Sequence, residues 1–170
     1  MRFEPLAAIA SNGSGRIPDA HIRWVSCARF VPDGESAWQQ IISRRVDFTR
    51  EVVIEKQGAE PEEICYEPDF ARVETSVDTP ALIRFRVESG RPGWLVLADQ
   101  WYPGWVGTVD GQSVDIDRGN YLFQAIQVEA GSHVVEFQYQ PVSFLVGAGI
   151  SLFAFISMLV VGFWPRSRRG

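Results

Sequence analysis

The sequence has few cysteines and no basic region of the kind that binds nucleic acid. Cys27 and Cys65 allow at most one disulfide bond, and neither belongs to a CxxC motif or a Cys/His cluster with metal-ligand spacing. A net charge of −5 leaves no clustered basic face before the last few residues. We therefore expect no nucleic-acid partner, no metal site and no cofactor. The two cysteines are interpreted as free or buried thiols, with a disulfide as the alternative in an oxidising compartment.

The sequence also lacks the common catalytic signatures. No GxSxG, HExxH or glycine-rich phosphate loop occurs, and His21 and His133 stand apart from any second triad or zinc-ligand residue. Asp115 and Asp117 would share one face of a strand, but too few further oxygen ligands lie nearby for calcium, so a solvated strand end is the better interpretation. A hydrolase that uses these two carboxylates is thus the weakest of the functional hypotheses.

A long apolar run is present near the C-terminus. No side chain between Phe137 and Pro165 is charged, and residues 143–164 are almost wholly apolar. Because about 20 apolar residues cross a bilayer core about 30 Å thick, the run predicts a transmembrane helix over 142–164, with a buried soluble helix as the alternative. The arginines of the tail, 165–170, then predict a cytoplasmic C-terminus and a domain outside the cell membrane.

An outside domain must be exported, yet the N-terminal residues contain no export signal. Either the chain is part of a longer membrane protein whose earlier helices set the orientation, or it inserts tail-first and its domain stays in the cytoplasm. The tail arginines favour the first. Ser143, Gly147 and Ser151 recur every four residues, which predicts packing against another membrane helix of the same or a partner protein, with plain lipid exposure as the alternative.

The middle of the chain alternates with a period of two, which is typical of β-strands. In 81–88, Ile83, Phe85 and Val87 face away from charged neighbours, and 133–140 behaves likewise. Residues 94–98 are apolar on both faces and predict a central strand. Further strands are predicted at 22–30, 50–55, 71–77, 106–109, 113–116 and 121–128, with one short helix at 35–42 capped by Ser36 and a surface connection at 57–68.

Many short strands with tight turns predict an all-β fold. We expect an antiparallel, jelly-roll-like β-sandwich over residues 17–141, preceded by an irregular segment at 1–16.

Aromatic residues and turn residues crowd together at 94–114. Pro103-Gly104 fits the centre of a type II turn, and Asp110-Gly111 fits a tight hairpin, so both are explained without a ligand. Trp94 and its neighbouring tryptophans are expected to pack in the core, with sugar stacking as the alternative. The candidate glycan-binding residues under that alternative are Trp101, Tyr102, Trp105 and Tyr121, with Asp99, Asp110 and Asn120 as hydrogen-bonding neighbours.

A series of motifs links residues 97–151 to a known family. The series comprises a YPGW turn at Tyr102–Trp105, a VDG hairpin at 109–111, an aromatic strand with Asn120, Tyr121, Phe123 and Ala125, and an alternating run with Ala130, Gly131, His133, Val135, Phe137, Tyr139 and Pro141. In this order and spacing it resembles the C-terminal region of the YfhO family of bacterial multispanning membrane proteins. Upstream, residues 17–20 resemble the family more weakly, with Asp19 in place of a basic residue.

The resemblance implies a long polytopic protein with an architecture similar to GT-C glycosyltransferases. This chain would be its tail: an extracytoplasmic β-sandwich and a last helix, without the early loop in which the family's acidic catalytic residues are expected. The implied role is accessory support of lipid-linked sugar transfer in cell-envelope glycosylation, with the bilayer, membrane helices and a glycan or lipid-linked sugar as partners. The alternative is a membrane-tethered structural or protein-interaction module with no glycan role.

Overall fold

A computed structural model describes residues 21–58 and 60–163 of the chain. By contacts the chain divides after Tyr139 into two compact units. Of the described residues, those up to Tyr139 form twelve strands and one helix, and those from Gln140 onward form one helix. The predicted segments 1–16 and 165–170, together with residues 17–20 and Trp164, lie outside the described residues.

The elements follow one another along the chain with short connections. They are β1 (Ile22–Val25), β2 (Cys27–Val31), α1 (Gly34–Ile42), β3 (Glu51–Glu55), β4 (Glu62–Cys65), β5 (Ala71–Thr79), β6 (Leu82–Ser89), β7 (Gly93–Leu97), β8 (Trp105–Val109), β9 (Gln112–Val114), β10 (Asp117–Gly119), β11 (Phe123–Val128), β12 (Gly131–Tyr139) and α2 (Val142–Phe163).

The strands form two sheets. One has seven strands in the order β1-β7-β11-β10-β3-β2-β4, and the other has five in the order β5-β6-β12-β8-β9. All described pairings are antiparallel except β2 with β3, which run parallel. The parallel pair departs from the purely antiparallel, jelly-roll-like prediction. It arises because α1 and the turn after it carry the chain back to the starting end of β2 before β3 begins.

Side-chain alternation places the main core between the sheets. Ile83, Phe85 and Val87 of β6 are buried while Arg86 and Glu88 are exposed, as the period of two predicts. These side chains share one hydrophobic cluster with residues of the seven-stranded sheet. Its buried members are Ile83, Phe85, Val87, Leu95, Leu97, Ile126, Val128, Val135 and Phe137. The mostly β architecture therefore agrees with the sequence prediction.

Strand β7 is buried on both faces, as its apolar run predicted. Leu95 and Leu97 face the five-stranded sheet, whereas Trp94 and Val96 belong to a cluster on the opposite face. There the Trp94 ring stacks on Tyr66, with ring centroids 5.6 Å apart, and meets the edge of Phe30. Trp94 is fully buried, so the expectation that it packs in the core is confirmed.

Helix α1 covers β2 and β3 through a small cluster of Val31, Ala37, Val46 and Val53. The helix begins at Gly34 because the Asp33 side chain accepts a hydrogen bond from the Ser36 backbone N–H at 2.7 Å. The predicted cap at Ser36 is therefore wrong: Ser36 supplies the donor, and Asp33 is the cap.

Two turns match the sequence prediction. Gly104 has a φ of 112°, which the third position of a type II turn requires. Asp110 and Gly111 have φ values of 52° and 77° and join β8 to β9 as a two-residue hairpin closed by Val109 opposite Gln112. Both turns bend the chain without help from a ligand.

Three features of β1 to β4 differ from the prediction. The single strand expected at 22–30 is broken at Ser26 into β1 and β2, which pair with different neighbours. Part of the expected surface connection is strand β4, paired with β2. Cys27 lies directly opposite Cys65 in this pairing, with Cα atoms 4.1 Å apart, and the two form a disulfide. The interpretation of the cysteines as free thiols is therefore wrong.

Helix α2 requires a correction. Among residues 21–58 and 60–163, no helix combines the length and apolar character needed to cross a membrane, so the predicted transmembrane helix over 142–164 is not supported. Within α2, side chains are described at 146–147 and 149–159. Phe153 and Met158 in that stretch are exposed.

Candidate functional site

An open groove of about 410 Å³ lies beside the start of α1. We call it the α1 groove, and it is lined by Gly34, Glu35, Trp38, Arg118 and Tyr121. One wall is the first turn of α1, and the other is formed by β10 and the turn that follows it. The volume falls within the range of roughly 300–1,000 Å³ that small-molecule sites occupy.

Two aromatic rings form a partly exposed surface in the groove. Trp38 and Tyr121 have ring centroids 5.6 Å apart and planes tilted by 50°. Their exposed fractions are 45% and 37%, so both rings contact solvent as well as each other. We call this pair the aromatic platform. Large rings that stay this exposed in a folded domain are available to a flat apolar ligand face.

The Arg118 side chain is held between rings and a carboxylate. Its guanidinium carbon lies 5.3 Å from the Trp101 ring centroid and 5.7 Å from that of Tyr121. The Nη1 atom pairs with Oε2 of Glu55 at 3.3 Å, because Arg118 and Glu55 are register partners on β10 and β3. Buried Nε of Arg118 and Oε1 of Glu55 have no hydrogen-bond partner among the described residues.

The turn after β10 positions Tyr121. Asn120 and Tyr121 have φ values of 49° and 70°, in the left-handed region that residues other than glycine rarely adopt. Asn120 is fixed to β3 by two hydrogen bonds: its Oδ1 accepts from Val53 N at 2.9 Å, and its N donates to Val53 O at 2.7 Å. Strain of this kind persists only where surrounding contacts enforce it, and here those contacts set the place of the Tyr121 ring.

Helix α1 approaches the second wall closely at Gly34. A Cβ atom at this position would lie 3.3 Å from Oε2 of Glu55 and 3.4 Å from a ring carbon of Tyr121. The first contact is slightly tight and the second is an ordinary van der Waals contact, so an alanine here would require only a small movement of the Glu55 carboxylate.

Trp101 contacts Arg118, a residue of the groove lining, and is itself held in place. It is half-buried, its indole Nε1 donates to the Ile116 carbonyl at 3.3 Å, and its backbone N donates to Leu122 O at 2.6 Å. The ring thus acts as a fixed support for the Arg118 guanidinium.

Other predicted glycan-binding residues lie elsewhere. Asp99 and Trp105 line a separate cleft of about 270 Å³, together with Asp78, Thr79, Pro80 and Ile83. The Trp105 ring packs against Tyr139, with centroids 5.4 Å apart. Tyr102 is 59% exposed and belongs to the lining of neither cavity. The structure therefore distributes the predicted residues over several places instead of gathering them into one site.

Asp110 has a structural role in the β8–β9 hairpin. Its Oδ1 accepts from Val134 N at 2.8 Å, and its Oδ2 lies 2.7 Å from Nδ1 of His133. The hydrogen bonds from Val134 and His133 hold the pKa of Asp110 below its usual value. The isolated His133 is thus a partner of this hairpin carboxylate.

Asp115 and Asp117 differ in environment. Asp115 is exposed, whereas burial raises the pKa of Asp117 above its usual value. Across residues 21–58 and 60–163, no three metal-ligating side chains come together.

A family model described as "Bacterial membrane protein YfhO" matches residues 85–151. Over these residues the chain is similar to the YfhO family. This YfhO segment runs from β6 into α2, and it supplies Arg118 and Tyr121 of the groove together with Trp101, which contacts Arg118. Gly34 and Trp38 lie upstream of it, so the groove joins the YfhO segment to the remainder of the domain. No curated protein and no solved structure matches the chain.

The YfhO match confirms the family resemblance seen in the sequence. The match carries the description of a membrane protein, and the likeness to GT-C glycosyltransferases stays a prediction. Helix packing through Gly147 and Ser151 also stays a prediction, since both residues are exposed and the side chain of Ser143 is outside the described ones.

Sequence reasoning missed Trp38, Arg118 and Glu55, which lie outside or between the recognised motifs. One signal for Trp38 was present: on α1 it follows buried Ala37 and is therefore rotated by about 100° from it around the helix axis. A large aromatic on the polar face of a short amphipathic helix indicates a surface role. No such signal marks Arg118 or Glu55, because only the sheet register makes them neighbours.

Proposed function

We propose that this YfhO-family domain binds a glycan in the α1 groove and supports lipid-linked sugar transfer in the cell envelope, without catalysing the transfer itself. The observation that carries the proposal is the aromatic platform beside the Arg118–Glu55 pair. Sugar rings present apolar C–H faces that pack on aromatic rings, and their hydroxyl groups hydrogen-bond to guanidinium and carboxylate groups.

The rigidity of the groove supports this proposal. Arg118 is fixed between two rings, Tyr121 is fixed by the Asn120 turn, and Trp101 is fixed by its indole hydrogen bond. A site whose side chains are already ordered loses little conformational entropy when it binds a ligand.

The disulfide supports a location outside the cytoplasm. Cys27 and Cys65 are paired, and disulfides persist in oxidising compartments but are rare in the cytosol. Glycan chains and lipid-linked sugars of the cell envelope are found on that side of the membrane. The bilayer and other membrane helices belong to the proposal as partners of the parent protein.

The test is calorimetric titration of the protein with neutral tetrasaccharides, comparing a glucose tetramer with an N-acetylglucosamine tetramer. We expect Trp38→Ala and Tyr121→Ala each to weaken binding about two- to tenfold, because an aromatic contact contributes roughly 0.5–1.5 kcal/mol. Tyr102→Ala is the matched control, since it removes an exposed aromatic outside the groove.

Equal losses in all three variants would show that the contact is not in the groove. Absence of binding to either tetrasaccharide, with the fold intact, would favour the structural or protein-interaction module instead.

A further inference from the structure

The charges around the α1 groove are mostly negative. Glu35 lines the groove, Asp33 caps the helix beside it, and Glu55 lies behind Gly34. Arg118 is the basic residue in the described lining, and its charge is paired with Glu55. Lys56 follows Glu55 but lies over the Phe30 ring, on the other face of β3.

The partial positive charge at the start of α1 does not reverse the negative balance of charge around the groove. A helix N-terminus carries about half a positive elementary charge and by itself attracts anions. Here the Asp33 side chain already accepts from Ser36 N, and Glu35 stands in the first turn. The Asp33 carboxylate thus occupies a place that an anionic ligand would take, and Glu35 adds a second negative charge in the first turn.

Glu35 and Trp38 are neighbours on the helix surface because they are three residues apart. Gln39 donates to Oε1 of Glu35 at 2.8 Å and so limits the movement of the carboxylate. A cation bound on the Trp38 ring would gain both the attraction of the ring face and that of the carboxylate. An anion at the same place would meet like charge.

From this arrangement we infer that the saccharide preferred by the α1 groove carries a free amino group, as a deacetylated amino sugar does. The inference rests on the proposed glycan binding and adds its chemical class. The ammonium lies beside Glu35 and over Trp38, while the hydroxyl groups of the ring face Arg118.

The test compares tetramers of glucosamine, N-acetylglucosamine and galacturonic acid by calorimetry at about pH 6, where an aliphatic amine is protonated. We expect the glucosamine tetramer to bind about two- to fivefold more tightly than the acetylated one, the range typical of an exposed ion pair, and the galacturonate tetramer to bind most weakly. The preference should shrink at high salt, since such pairs are screened.

Glu35→Gln should weaken binding of the glucosamine tetramer about two- to fivefold, so that its advantage over the acetylated tetramer disappears. Glu129→Gln, which changes an exposed carboxylate between β11 and β12, is the matched control and should keep the preference. Equal affinities for all three tetramers, or tightest binding of galacturonate, would overturn the inference and leave glycan binding intact. If no tetramer binds, the proposed function itself has failed.

Discussion

One face of the seven-stranded sheet points toward the five-stranded sheet. The two halves of this face are covered by different elements. Strands β1, β7 and β11 lie against that second sheet, and their contacts are aliphatic and aromatic. Strands β10, β3 and β2 lie beside α1, and here the same face carries ion pairs: Arg29 with Glu51, and Arg118 with Glu55.

One row of residues crosses the boundary between the halves. Leu97, Gln124, Arg118 and Glu55 are successive register partners on β7, β11, β10 and β3, so their side chains share a face. Leu97 and Gln124 are buried, while Arg118 and Glu55 reach the edge of the groove. A second sheet excludes water along its whole length, whereas a helix of nine residues covers only part of the sheet and leaves a polar opening at its end.

The first prediction tests the half that packs against the five-stranded sheet. Phe137 is fully buried and meets the edge of Phe85, with centroids 6.2 Å apart. Phe137→Ala should lower the free energy of unfolding by about 4 kcal/mol, because it removes a large apolar group and leaves a cavity. Denaturant unfolding measures the change. Phe70→Ala, at a site 59% exposed, is the matched control and should cost less than about 1 kcal/mol; similar losses would contradict the comparison.

The second prediction tests the half that carries the ion pairs, where a disulfide bond adds to the packing. Replacing both Cys27 and Cys65 by serine should cost about 3 kcal/mol, because the disulfide closes a long loop, with 38 residues separating its ends in sequence. The measurement is urea unfolding of the oxidised protein, the reduced protein and the double variant. The reduced protein and the double variant should have the same free energy of unfolding. A double variant as stable as the oxidised protein would show that packing alone holds β4 in place.

The third and smallest effect concerns Asp117, the first residue of strand β10. Burial raises its folded pKa, so the stability that it contributes is present below the unfolded pKa and lost as pH rises through the folded pKa. Asp117→Asn should therefore stabilise the protein at pH about 7, by no more than about 1 kcal/mol because the side chain keeps some solvent contact. The difference should vanish near about pH 3.5.

Asp110→Asn is the control, and it should change the stability in the opposite direction. The pKa of Asp110 is lowered, so its contribution is present above the unfolded pKa and disappears as pH falls through the folded pKa. This variant should lose stability at pH about 7, and thermal unfolding scans of both variants across pH give the comparison. The interpretation of Asp117 fails if the two variants change in the same direction.

The halves also differ in how far their structure could be predicted from the sequence. Strands β6, β7 and β12 follow from alternation or from a doubly apolar run, because each buries at least one regular face. Strand β4 is exposed along most of its length, and β10 has only three residues, so neither carries a periodic signal. Their places depend on the disulfide and on register, which are long-range properties.

The candidate site, too, could be predicted from the sequence only in part. Trp101 belongs to the aromatic stretch at 94–114 and Tyr121 to the aromatic strand that begins at Asn120, so both were candidates, but Trp38 and Arg118 were not grouped with them. These residues come from α1, the loop before β8, β10 and the turn after it, and only the folded sheet brings them together. The predicted transmembrane helix, in turn, rested on the length and apolar composition of residues 142–164, and no described helix meets the requirement for crossing a membrane.

The disulfide makes a covalent ring of residues 27–65, and this ring contains Gly34, Trp38 and Glu55. Trp101, Arg118 and Tyr121 lie in the open part of the chain. A protease that cuts once inside the ring would therefore release no fragment, and the clipped protein would keep both walls of the groove on one connected molecule. For a cut inside the ring, reduction of the disulfide is therefore also required before the helix wall and the strand wall become separate molecules.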